Sequence, residues 1–559
     1  MNPFKLLLKV FKSYTFGDKF VSALAVIAIL LMIVKMMFFP YGLFNFGQPN
    51  VYTEGLISKN GIANINPLFV DYNEADREIS ALVFSGLLKY DAEKGAIVDD
   101  MAKLAVNEDK TVYTLLLREG LKWHDGAPVT AQDVYFTFHD VILDPAFSNE
   151  ILKTNFAGID IEMVDERTIQ FSLEKPNVFF IANLVTGILP YHILKNVEPA
   201  DLLQHEFNKK PTGTGPYMVT EPVKLFPDGR MQASLARNPY YYADLPEIEN
   251  FRFSVYAYPE QLIADINSVN AVPKVTGKYI LDFRNNDRFE LVPYELPQYM
   301  AVFLNMESEI LRGNEYVRLA LRKAVDKDAL IAKFVDKIPV DTPLMQLDQD
   351  EWKYQPDKDQ AHGALKESGY NYGEDDTERV GIRYDEEGTA LELRMIALSY
   401  PEGTEQAQET DTVLEFLEDS WASVGFSIKV ELLERDEFKA KVMTRQYDLL
   451  YVGHNLGYNL DTYSYWHSTQ ANPRGQNFSN YKSFQVDTLI EEIRATFDAG
   501  EQSELLAKVA EKMKDDVPAV FLFRPIYYYA TDGKVSGLMM GNVAFPSDRF
   551  SSVSSWVFN

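Results

Sequence analysis

Leu391-Glu392-Leu393-Arg394-Met395-Ile396-Ala397 alternates apolar and polar or charged residues with a single break, the period of a β-strand. Val413, Leu414, Leu417, Trp421 and Val424 then recur at helical spacing, and Phe426, Ile428, Val430 and Leu432 alternate again. A polar helical segment from Glu434 to Arg445 leads into Asp448-Leu449-Leu450-Tyr451-Val452, a short apolar run of the kind buried on both faces. The block 391–455 therefore reads strand, helix, strand, helix, strand. Its three strands should be parallel, with right-handed crossovers. Ligands in such sheets sit beyond the carboxyl ends of the strands. The last strand delivers Gly453, His454 and Asn455 to that edge, and the first delivers Ser399 and Tyr400. No glycine-rich phosphate loop follows the first strand, which disfavours a nucleotide and leaves a binding lobe without a cofactor.

The length of 559 residues allows three or four domains, and an apolar fraction of 46% supplies large cores. A net charge of −28 argues against nucleic-acid binding, which needs a basic stripe. There is no cysteine, which excludes a disulfide scaffold, a thiolate metal site, a cysteine nucleophile and a lipid-modified N-terminal cysteine.

Residues 20–39 are mostly apolar and long enough to span a bilayer. Lys5, Lys9, Lys12 and Lys19 precede them, placing residues 1–19 in the cytoplasm and the rest of the chain outside. Phe38-Phe39-Pro40-Tyr41 carries no small-x-small cleavage pattern, so the segment reads as an uncleaved signal anchor followed by a linker at 40–50. Lys35 can snorkel to the outer interface.

Beyond the linker, Val51 to Ile57 reads as a strand and Glu74 to Leu88 as a helix; Tyr113, Leu115 and Leu117, then Ile169, Phe171 and Leu173, mark two more strands. Thr130-Ala131-Gln132-Asp133 is a capping-box pattern ahead of a helix face at Val134, Phe138 and Val141. Val317, Ala320, Leu321, Ala324 and Val325 line another helix, and Pro356 to Ser368 forms one more, stopped by Gly369. Helices near 486–497 and 505–513 precede an apolar strand at 517–523.

Several of these stretches resemble the extracytoplasmic solute-binding proteins of the peptide/nickel class, family 5, that serve ABC importers. Trp123-His124-Asp125-Gly126-Ala127-Pro128-Val129-Thr130-Ala131-Gln132-Asp133-Val134 is similar to that family's signature, and Gly213-Thr214-Gly215-Pro216-Tyr217 to its glycine-rich turn. Phe303-Leu304-Asn305-Met306 with Val317-Arg318-Leu319-Ala320-Leu321 resembles the opening of its second lobe; Tyr354-Gln355-Pro356 through Gly369-Tyr370, and Tyr447-Asp448, resemble later landmarks. The resemblance implies an α/β, two-lobed, hinged periplasmic-binding-protein-like fold, type II, of the large class with an extra subdomain, here preceded by one transmembrane helix. Lobe 1 would take 51–300 and 506–559, with an inserted subdomain at about 80–205. Lobe 2 would take 301–505, with chain crossings near 299–305 and 505–520. In peptide-binding members the loop after the Tyr-Asp strand carries a Trp and then an Asp that pairs with the ligand's α-ammonium. Here His454 stands at the Trp and Gly457 at the Asp, and Asp461 would substitute only in a shifted loop.

The candidate ligand-binding residues are His454, Asn455, Tyr458 and Asp461 on that loop, Tyr299 at the first crossing, and Glu54 on the first strand, where family members offer backbone and side chain to ligand. Tyrosines such as Tyr299, Tyr451, Tyr458 and Tyr463 supply flat apolar walls with a polar tip. His124 and Asp125 belong to a structural turn, and the spacing of His454 and His467 is not that of a helical metal pair. No nucleophile elbow, zincin or P-loop motif occurs, so no enzyme is expected. The expected function is a membrane-anchored solute-binding protein that captures peptides or peptide-like solutes by lobe closure and hands them to an ABC permease. The alternative is a sensory or scaffolding ectodomain not coupled to transport.

Overall fold

A computed structural model describes Thr15 and residues 51–372 and 381–559. The expected cytoplasmic segment, anchor and linker at 1–50 lie, Thr15 apart, outside the described residues. Among the described residues no helix is long and apolar enough to cross a membrane.

In chain order, β1 (Val51–Ile57) precedes α1 (Glu74–Val83). The helix ends five residues before the expected Leu88. The Val83 carbonyl accepts from Gly215 N–H at 2.9 Å, and Ser85 N–H donates to Thr214 Oγ1 at 3.1 Å, so the glycine-rich turn takes the groups that another helical turn would use. β2 (Ala102–Val106), β3 (Val112–Leu117), β4 (Asp160–Met163) and β5 (Thr168–Ser172) form a four-stranded antiparallel sheet in the order β2-β3-β5-β4. α2 (Ala131–Tyr135) starts on the expected box: Thr130 N–H donates to Asp133 Oδ2 at 2.8 Å. It continues into a wider π-helical stretch, and Val134, Phe138 and Val141 are all buried.

β6 (Tyr217–Val219), β7 (Met231–Arg237), β8 (Asn250–Tyr256) and β9 (Ala271–Val275) join β1 in one half of the main sheet. β10 (Gln298–Leu304) opens the other half, followed by α3 (Glu315–Lys323) and α4 (Lys358–Glu367). All five apolar positions read on the first of these two helices, Val317 to Val325, are buried.

The central block folds as read: β11 (Glu392–Leu398), α5 (Glu405–Ala422), β12 (Ser427–Leu433), α6 (Arg435–Thr444) and β13 (Leu449–Asn455). β11 pairs in parallel with both β12 and β13. Leu432, expected inside, is 49% exposed, because β12 is the sheet's edge strand and Leu433 turns inward instead. α7 (Phe484–Ala495), α8 (Ala499–Asp516) and β14 (Ala519–Thr531) complete the frame.

The main sheet runs β12-β11-β13-β10-β14-β9-β1-β8-β7-β6. β14 is the shared member: Ala519 to Phe523 pair with β10, and Tyr528 to Thr531 with β9. Helix α8 packs Leu506, Val509, Ala510 and Met513 against the core beside β10 and β13. The strand shared by the two halves of the sheet thus begins at Ala519, at the end of the expected crossing 505–520. Buried apolar residues divide accordingly. One pair of clusters draws on residues 52–296 and 527–556, and the other on 299–523.

Candidate ligand-binding cleft

The carboxyl ends of β11 and β13 open on a cleft of about 510 Å³. Leu398, Tyr400, Gly453, His454 and Asn455 line it from the strand ends, and Glu405, Gln406 and Glu409 from the first turns of α5. Lys274 and Thr276 at the end of β9, with Pro525 and Tyr527 on β14, form the opposite wall. Of the two residues expected at the end of the first strand, Tyr400 lines the cleft and Ser399 instead donates to Glu434 Oε1 at 3.1 Å.

Charged groups around the cleft are largely paired with one another. Lys337 Nζ lies 2.9 Å from Glu409 Oε2 and 3.3 Å from Asp336 Oδ1. Burial alone would lower its pKa, but the two carboxylates raise it. Lys274 Nζ contacts both oxygens of Glu74, at 2.9 and 3.0 Å. Two contacts span the cleft mouth: Gly277 N–H donates to Asp336 Oδ2 at 2.9 Å, and Lys278 N–H to Glu405 Oε1 at 3.0 Å. Burial pushes the Glu405 carboxyl up. What remains for a ligand is amide and hydroxyl chemistry from Thr276, Gln298, Gln406 and Asn455 between aromatic walls, the mixture expected of a small-molecule site.

The structure distributes the six candidate residues widely. Tyr299 and His454 are adjacent across β10 and β13, and Tyr299 Oη lies 2.9 Å from His454 Nδ1. His454 borders the cleft, yet its ring sits among Phe303, Tyr465 and Phe478, with centroids 4.8, 4.5 and 5.0 Å away. Burial pushes its pKa down to about 3, so the imidazole is neutral, and Nε2 has no hydrogen-bond partner among the described residues. Asn455 is exposed in the cleft and accepts from Gly457 N–H at 3.1 Å.

Tyr458 points elsewhere. Its hydroxyl donates to Asp548 Oδ1 at 2.5 Å, its ring meets Phe545 edge-on at 4.9 Å, and it lines a second cavity of about 510 Å³ beside Tyr90 and residues 547–555. Gly457 enables this seat: its φ is +56°, and a Cβ there would lie 2.7 Å from the Phe545 ring.

Two expectations are corrected. Asp461 is 2% exposed and gripped by Arg494, with Nε at 2.9 Å and Nη2 at 2.8 Å, so it does not stand in for a carboxylate at Gly457. Glu54 is fully buried: Tyr529 donates to its Oε1 at 2.9 Å and Arg549 pairs with its Oε2. Both oxygens are engaged within the fold, so Glu54 offers none to a ligand. His124, as expected, is structural, bridging Gly213 N–H at 3.1 Å and the Gly215 carbonyl at 3.2 Å, and burial lowers its pKa to about 4.

Sequence reading missed Lys274, Lys337 and Arg549, which come from segments with no local signal. Glu405 was within reach, because Thr404 caps α5 and the strand-end rule extends to the helix N-terminus that follows.

The model of the bacterial extracellular solute-binding proteins, family 5 Middle, matches residues 96–476. The oligopeptide-binding protein AppA of Bacillus subtilis (strain 168) is 25% identical over 510 residues, covering 88% of this chain and 90% of its own. Among solved structures, HbpA2 from Haemophilus parasuis superposes with a TM-score of 0.75 at 19% identity, over 91% of this chain and 100% of that one. NikZ from Campylobacter jejuni, in complex with Ni(L-His), superposes with a TM-score of 0.69 at 23% identity, over 90% and 99%. The fold is thus the two-lobed α/β architecture of periplasmic binding proteins.

Proposed function

Because this chain belongs to the bacterial extracellular solute-binding proteins of family 5, we propose that it captures peptides or peptide-like solutes by lobe closure and delivers them to an ABC permease. The observation that carries the reading is the cleft of about 510 Å³ at the carboxyl ends of β11 and β13, walled on its far side by β9 and β14. Amides at 277 and 278 reach across it to Asp336 and Glu405, contacts that a hinge within β10 and β14 would make and break. The peptide assignment is supported by the name of the Bacillus relative. Asn455, Tyr299 and the β13 backbone are the ligand contacts we favour, with Tyr458 acting on the opposite lobe. Lobe 1 would comprise 51–297 and 526–559, and lobe 2 the chain between. Residues 20–39 would anchor the protein with its N-terminus in the cytoplasm.

Thermal unfolding of the full chain in detergent, screened against peptides and against Ni(L-His), tests this reading. A peptide present at a hundred times its Kd stabilises the folded state by about 2.7 kcal/mol and raises the midpoint measurably. A rise with Ni(L-His) and none with any peptide would replace the peptide assignment with a metal chelate. No rise with either would remove the solute-capture reading.

A further inference from the structure

A small cavity of about 50 Å³ lies where β1, α1 and β9 meet, lined by Gly55, Leu56, Glu74, Glu78, Pro273 and Lys274. Lys274 also borders the main cleft, so the two voids share that side chain. Glu78 is 1% exposed. Its Oε2 lies 2.6 Å from Arg549 Nη2, and its Oε1 has no hydrogen-bond partner among the described residues. The same guanidinium already pairs with Glu54. Three carboxylates (Glu54, Glu74 and Glu78) thus face two cations (Arg549 and Lys274), and one negative charge is left over.

An uncompensated buried carboxylate is costly, and so is an unfilled acceptor. A proton on Glu78 would cancel the charge yet leave a new buried donor. A cationic donor cancels the charge and fills Oε1 together. The space suits a small group, since a water molecule's share of liquid volume is about 30 Å³. We propose that this cavity seats a primary ammonium group of the captured solute on Glu78. The assignment rests on the solute-capture reading of the adjoining cleft and narrows it to amine-bearing solutes. An acylated amine is rejected because it has lost its charge. Burial, with Glu54 and Glu74 nearby, pushes the Glu78 carboxyl up to about 7 although Arg549 opposes the shift, as expected of a site lacking its counter-charge.

The test incubates the full chain with a randomised tetrapeptide library and with the same library acetylated at every amine, then identifies retained peptides by mass spectrometry. The wild type should retain free-amine peptides at least about tenfold over acetylated ones, one factor of ten being about 1.4 kcal/mol. Glu78→Gln should retain both pools alike, and Glu78→Asp should restore part of the preference. The wild-type comparison stands by itself if the variants fold poorly. Equal retention of both pools by the wild type overturns the ammonium site and leaves peptide capture intact. Retention of neither pool overturns the peptide reading, and this site with it.

Discussion

Glu78 and Asp548 are carboxylates whose surroundings raise their pKa, and their effect on stability has a definite sign. Burial is the first cause for both, moving Glu78 from 4.5 to about 7 and Asp548 from 3.8 to about 6. Below their unfolded values both groups are protonated in either state, and their contribution is fully present. As pH rises the unfolded chain ionises first, so that contribution is lost from 3.8 up through about 6 for Asp548 and from 4.5 up through about 7 for Glu78, at about 1.4 kcal/mol per pH unit for each group. Urea midpoints of the wild type should therefore fall relative to Glu78→Gln as pH rises through about 5 to 7, and run parallel from about pH 8. A difference that stays constant across the range would contradict a raised Glu78. Other residues behaved as their sequence context suggested, His124 being a turn residue and His454 a strand-end residue. What the sequence could not convey is that the His454 ring turns into the aromatic core, because period-2 alternation assigns a face without naming which face is wet.

At the scale of elements, α5 carries one of the two contacts across the cleft mouth. Its first-turn Glu405 accepts from Lys278 N–H, and Gly277, with φ at +53°, leaves no space for a side chain: a Cβ would lie 1.3 Å from Glu405 Oε1. Gly277→Ala should break this contact. We expect a larger radius of gyration by small-angle scattering and a loss of about 1–2 kcal/mol in unfolding free energy, the cost of an L-residue in the left-handed region. An unchanged radius would mean that the contact does not hold the lobes. The elements themselves were largely legible. β11, α5 and β13 announced their period because each buries its apolar face against neighbours in the same block. β12 was legible as a strand but not in the burial of its end, since Leu432 lies on an edge that only the assembled sheet defines. Helix α1 was overextended because its stop comes from Gly215, more than a hundred residues away.

Across the whole molecule, the two sets of cores share β14, and contacts such as Gly277–Asp336 and Tyr458–Asp548 join residues from one set to residues from the other. The absence of cysteine makes covalent trapping clean. Gly277→Cys combined with Glu405→Cys should form a disulfide on mild oxidation. It should slow solute uptake and release severalfold in the oxidised protein, with recovery on reduction. Equal rates in the oxidised and reduced protein would show that capture does not require the lobes to part.

Sequence by itself determined the periodic, local features: the strand-helix-strand block, its parallel order, and the strand-end edge where the cleft lies. It also carried the family resemblance, through turns and caps whose chemistry depends on neighbours a few residues apart. Only the tertiary structure decided the chemistry of the walls. Glu54 and Arg549 meet from positions 495 residues apart, and Lys274, Glu74 and Glu405 converge from three separate segments. Long-range pairing of charges leaves no periodic trace in a chain, because it depends on which buried carboxylate finds which cation once the strands have paired.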